Sequence, residues 1–136
     1  MSHHCTHALI RCMDFRLQKA VDEWLEENHL PGDCDMISVA GAGKDVLVNP
    51  DGFVATQIGL SKKLHDTKTV LLMHHMDCGA YGGHSAFENL EAEKEFQIRE
   101  MKKIKEIIES KNSEMEVKML LAHIDDDGEV EIEAVG

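Results

Sequence analysis

Two short segments of this chain place soft metal ligands beside an acid and an arginine: Cys12-Met13-Asp14-Phe15-Arg16 and His75-Met76-Asp77-Cys78-Gly79. Each follows an apolar run that reads as a β-strand, residues 8–10 before the first and residues 69–73 before the second. Two thiolates and an imidazole favour zinc over hard ions such as Mg²⁺. Three protein ligands also leave one tetrahedral position for water, as in catalytic zinc sites, whereas structural zinc sites fill all four positions with protein. Cys12, His75 and Cys78 are therefore the expected zinc ligands, and chemistry rather than stapling is their expected use.

For the halves to meet, two strands must end side by side. After the strand at residues 8–12, Leu17, Val21, Trp24 and Leu25 share one face of a helix reaching about residue 28, with Asp14 able to cap it. A turn at 31–33 leads to a strand at 36–39, which ends in Ala40-Gly41-Ala42-Gly43. Residues 49–52 turn into a helix carrying Val54, Ile58 and Leu64, followed by a strand at 69–74. A Gly-rich bend at 79–83 precedes a long helix, 89–111, with a buried stripe of Met101, Ile104, Ile107 and Ile108 and a solvated Glu- and Lys-rich face. A strand at 117–124, a turn at 125–128 and a strand at 129–135 close the chain, the last alternating Glu with apolar residues like an antiparallel edge.

This alternation predicts an α/β fold: a mostly parallel four-stranded sheet, order 2-1-3-4, flanked by helices, plus a C-terminal antiparallel edge strand. Ligands bind such sheets at the carboxyl ends of strands where the order reverses. The assumed order makes strands one and three neighbours there, bringing Cys12 to His75 and Cys78. Residues 1–136 are expected to form a single domain.

A formal charge of -12 argues against a nucleic-acid backbone or an anionic membrane as partner. No apolar stretch approaches the roughly 18 residues of a membrane span. The opening residues, Met-Ser-His-His-Cys-Thr-His, lack the basic start and apolar run of a signal peptide, so a cytoplasmic location is expected. In a reducing cytosol, Cys spaced with His reads as metal ligation rather than as a disulfide.

The other candidates have plainer readings. His74, next to the ligand but on the opposite strand face, is expected in the core, His84 in an exposed loop, and Cys34 as a buried strand thiol. His3-His4-Cys5 with His7 could bind adventitious metal but reads as a frayed terminus. Gly41-Ala42-Gly43-Lys44 fails the P-loop pattern, because Asp45 follows the lysine, and fails Gly-x-Gly-x-x-Gly, because Val46 holds the third position. It reads as a tight loop beside the site.

At its two ligand segments the chain resembles the β-class carbonic anhydrases, which carry Cys-x-Asp-x-Arg after the first strand and His-x-x-Cys-Gly after the third. The resemblance extends to Asp51-Gly-Phe-Val-Ala-Thr and to Leu120-Leu-Ala-His-Ile-Asp. It implies a zinc enzyme that reversibly hydrates carbon dioxide to bicarbonate through zinc-bound hydroxide. Asp14 would orient the hydroxide, Arg16 would hold Asp14 off the metal, and backbone N–H groups near Gly79 would bind the developing oxyanion. It also implies a homodimer or higher homo-oligomer. Two other outcomes share the ligands: hydrolysis of carbon disulfide or carbonyl sulfide, and a non-catalytic zinc protein in which Asp14 closes the site. The chain departs from the family where Val39–Lys44 replaces Arg-Asn-Ala-Gly-Asn, losing polar residues that tie that loop to the site. It also begins almost on the first strand, where the family has helices that embrace the partner.

Overall fold

Apolar runs buried on both faces form the centre of the sheet, as a parallel arrangement requires. The computed structural model describes residues 3–136; Met1 and Ser2 lie outside the described residues. The strands β1 (His7–Arg11), β2 (Cys34–Ser38), β3 (Thr69–His75), β4 (Glu116–Ile124) and β5 (Val130–Val135) make one sheet of order β2-β1-β3-β4-β5. All neighbours are parallel except β4 and β5. The predicted order and the antiparallel edge are both present.

Helices cover the two faces unequally. The helices α2 (Lys44–Val48), α3 (Phe53–His65) and α4 (Leu90–Lys111) pack Val46, Ile58, Met101 and Ile104 against Ile10, Leu72 and Leu121. On the other face, α1 (Gln18–Glu27) sets Val21 with Leu17 against Leu9, Leu71 and Met73. Because side chains alternate along a strand, Leu72 and His74 point to the α4 side and Met73 and His75 to the α1 side. The alternation thus separates adjacent histidines into different surroundings.

Local differences from the expected pattern have identifiable causes. Asp14 caps a 3₁₀ turn, Phe15–Leu17, by accepting from Arg16 N, and α1 begins only after it. The second strand lies earlier than expected, ending at Ser38, and residues 44–48 coil into α2 rather than continuing a loop. Leu64, expected on the buried face of α3, is 57% exposed. Cys34 is half-buried rather than buried, since β2 is a sheet edge. The start of the chain is not frayed from Cys5 onward: Cys5 N donates to His65 O (3.0 Å), and Thr6 N donates to Asp33 Oδ1 (2.7 Å). Among the described residues no helix is long and apolar enough to cross a membrane.

Candidate metal centre

The carboxyl ends of β1 and β3 deliver Cys12, His75 and Cys78 to one point. A ligand atom from each lies within 4.8 Å of the other two, and all three residues are buried. The sulfurs are 4.0 Å apart. The hydrogen bond between them favours the Cys12 thiolate and pushes Cys78 upward, so the metal-free pair gives up one proton readily and holds the other. Backbone N–H groups of Gly41 and Asp14 also stabilise the Cys12 sulfur.

The hydrogen bonding of His75 suits it to ligate a metal. Its Nδ1 lies 2.7 Å from the Met76 carbonyl oxygen, which can only accept, so Nδ1 carries the proton and donates it. Nε2 is buried and without a hydrogen-bond partner among the described residues. A backbone carbonyl fixing the remote nitrogen is the usual arrangement around a metal-bound histidine. Two thiols and an unpartnered imidazole nitrogen fit a zinc ion.

Asp14 stands beside this cluster, its Oδ2 3.8 Å from His75 Nε2. Arg16 clasps it, donating Nε to Oδ1 (3.1 Å) and Nη2 to Oδ2 (2.7 Å), while Arg16 N donates to Oδ1 (2.9 Å). These charge-assisted bonds hold the Asp14 carboxyl down at about 2 and raise the guanidinium further above its ordinary value. Arg16 is itself positioned by Asp77, donating Nη1 to Oδ2 and Nη2 to the carbonyl oxygen, each at 3.0 Å. Asp77 sits at φ 60°, a left-handed conformation that Asp tolerates better than most residues. Asp14, Phe15, Arg16, Asp77 and Gly79 line a cleft of about 600 Å³ whose described lining residues do not include the three candidate ligands. Asp14 therefore both lines the cleft and reaches to 3.8 Å from the cluster's imidazole nitrogen.

Three supporting residues, Arg11, Glu93 and Gln97, escaped the sequence reading. Arg11, buried at the end of β1, donates to the carbonyl oxygens of Cys12 (2.8 Å) and Asp14 (3.2 Å) and so fixes the loop between them. Glu93, 1% exposed, accepts from Asp77 N (2.7 Å) and meets His84 Nδ1 at 2.6 Å. His84 is thus half-tethered by a buried carboxylate rather than simply loop-exposed. Gln97 Oε1 lies 2.8 Å from His74 Nδ1, and Gly43 N donates to His74 Nε2 (3.2 Å). Burial keeps His74 neutral, its pKa lowered to about 4. The 39–44 loop is consequently tied down from within by His74, which Gln97 holds in turn. Lys44 adds a bond from Nζ to the Ala80 carbonyl. The available signal was periodicity: Glu93, Gln97, Met101, Ile104 and Ile108 share the buried stripe of α4.

The comparisons agree with this architecture. Residues 2–134 match a protein family described as "Putative carbonic anhydrase". An uncharacterized protein of Rickettsia bellii (strain RML369-C) is 31% identical over 125 residues, which span 86% of this chain and 76% of that one. An uncharacterized protein of Rickettsia conorii is 26% identical over 124 residues, spanning 86% and 67%. Among solved structures, the carbonic anhydrase from Glaciozyma antarctica superposes with a TM-score of 0.60 at 20% identity, covering 93% of this chain and 80% of that one. The β-carbonic anhydrase isoform I of Trichomonas vaginalis gives 0.61 at 18% identity, covering 96% and 82%. At these identities the structural likeness shows a shared fold.

Proposed function

The chain belongs to this carbonic anhydrase family, and on that premise we propose that it reversibly hydrates carbon dioxide to bicarbonate, with zinc held by Cys12, His75 and Cys78. The observation that carries the reading is the unpartnered His75 Nε2 between two buried thiols, with an arginine-clasped carboxylate 3.8 Å away. Zinc bound there supplies Lewis acidity that brings the ionisation of water toward neutral pH.

The remaining work falls to the chain. Asp14, kept ionised, is an acceptor only. Its place in the cleft wall, 3.8 Å from His75 Nε2, suits it to accept a hydrogen bond from the reacting water and aim that oxygen's lone pair. Arg16 occupies both Asp14 oxygens, and Asp77 anchors Arg16, so the carboxylate is restrained from entering the cluster as a fourth ligand. That restraint favours an open site over the closed, non-catalytic alternative. Gly79 lines the cleft and presents backbone without a side chain to carbon dioxide and bicarbonate. Phe15, 86% exposed on the same cleft, supplies an apolar rim for a second copy of the chain to cover, consistent with a homo-oligomer.

Stopped-flow hydration of carbon dioxide by metal-quantified protein, from neutral to alkaline pH, tests the activity. We expect zinc-dependent turnover, and we expect Asp14→Ala to retain zinc while losing hydration. Full activity in that variant would refute the role of Asp14, and absence of turnover at every pH would refute the enzyme reading.

A further inference from the structure

A second set of metal-ligand types gathers at the opposite end of the sheet. Cys5 precedes β1, Asp35 lies near the start of β2, and His65 ends α3 just before β3. The register of β1 with β2 and β3 places all three at the amino ends of the strands, away from Cys12. A sulfur, a carboxylate oxygen and a ring nitrogen from these residues fall within 4.8 Å of one another.

The surroundings hold the three in place. His65 Nδ1 is 2.6 Å from Asp35 Oδ2, and Ser61 Oγ donates to the same oxygen at 2.7 Å. Ser61 Oγ also lies 2.7 Å from Thr67 Oγ1, which lies 3.5 Å from Cys5 Sγ. Both hydroxyl residues are buried, so a polar chain beneath the cluster links the thiol to the carboxylate. Above it is a cavity of about 330 Å³ whose walls include His3 and His4 as well as the three residues themselves. The His3 ring stands edge-on to the His65 ring, 6.0 Å between centroids. An ion pair of His65 with Asp35 explains their contact, but not the thiol beside it or the histidines over it.

We propose that Cys5, Asp35 and His65 form a second site for a borderline divalent cation of the zinc type, with His3 or His4 as the fourth ligand. A sulfur ligand excludes Mg²⁺ and Ca²⁺ as the preferred ion, and mixed sulfur, nitrogen and oxygen ligation suits Zn²⁺. Four protein ligands make it a closed, structural site, one that fastens the first residues of the chain to β2 and α3.

The test uses the full chain carrying Cys12→Ser and Cys78→Ser, titrated with Co²⁺ alone and followed by absorbance. We expect about one Co²⁺ per chain with a thiolate-to-cobalt charge-transfer band, and a rise in melting temperature with Zn²⁺, because the ion binds the folded form. Cys5→Ala should abolish the band and the thermal shift. Ser61→Ala, which leaves every ligand in place, should weaken binding by about 10- to 100-fold. Far-UV circular dichroism checks the fold of each variant, and His65→Gln serves if Cys5→Ala does not fold. No cobalt uptake in the double-serine chain, or uptake unchanged by both Cys5→Ala and His65→Gln, would overturn the proposal. Because Cys12 and Cys78 are already removed, these outcomes are independent of the carbonic anhydrase reading.

Discussion

The two ends of the sheet carry nearly the same ligand types and treat their carboxylates in opposite ways. At the carboxyl end, Cys12, His75 and Cys78 are buried, and Asp14 is pulled aside by Arg16. At the amino end, Cys5 and His65 are half-exposed, and Asp35 faces them directly with no arginine to occupy it. Where a guanidinium satisfies both carboxylate oxygens, the proposed zinc would keep a position free for substrate. Where serine, histidine and the thiol contact the carboxylate and no arginine among the described residues holds it, it would be available to the proposed second ion. On these proposals, whether a site would react or merely bind depends on what holds the acid as much as on the ligands.

The largest effect tests the ligands themselves. Cys12→Ser should remove zinc from the carboxyl-end site and drop hydration to background, measured by metal analysis and stopped flow. Retained zinc and activity would mean that the two ends have been assigned the wrong way round. Next in size, Arg16→Gln should make the carboxyl end resemble the amino end, releasing Asp14 toward the cluster. We expect zinc to stay bound while kcat/KM falls by about 10²- to 10³-fold, the scale of losing one preorganised charged group in an active site. Unchanged kinetics would show that Arg16 is a surface partner only.

Much of the carboxyl end was legible in the residues, because Cys12, His75 and Cys78 each follow a strand whose apolar run is unmistakable, and the strand order then had one arrangement that joined them. The supports were less visible. Arg11 and Glu93 are residue types usually solvated, and their burial depends on partners distant in sequence. The α4 stripe was readable at Met101, Ile104 and Ile108, and extending its period backward reaches Gln97 and Glu93, yet polarity masked them. The amino-end cluster was the hardest to see: His65 and Asp35 come from the ends of separate elements, and only the parallel register of β2 and β3 with β1 sets them around Cys5.

Smaller in effect is the loop that supports the carboxyl end. A Cβ at Gly43 would meet Leu72 Cδ1 at 2.8 Å and Ile104 at 3.0 Å, both in the packed core. Gly43→Ala should cost up to about 3 kcal/mol in denaturant unfolding through overpacking. It should also disturb the loop whose Gly41 N–H faces the Cys12 sulfur, lowering zinc affinity. A neutral effect on both would separate the loop from the site and leave Cys12 supported by Arg11 and the Asp14 N–H.

The smallest effect follows from the clasp between Arg16 and Asp14. Asp14 is depressed from 3.8 to about 2 in the folded chain, chiefly by the Arg16 side-chain hydrogen bonds. A depressed carboxylate contributes stability that is fully present above its unfolded value and is lost as pH falls through the folded one. The contribution should therefore be constant near neutrality, begin to fade below about pH 4 and be mostly gone a little below pH 2, amounting to no more than about 2 kcal/mol. Denaturant unfolding of the metal-free chain isolates it, because acid would otherwise release metal by protonating the thiolates. The stability difference between the native chain and Asp14→Asn should narrow across that window. A difference that stays level down to about pH 2 would mean that Arg16 does not stabilise the charged form of Asp14, and the contrast between the two ends of the sheet would lose its electrostatic basis.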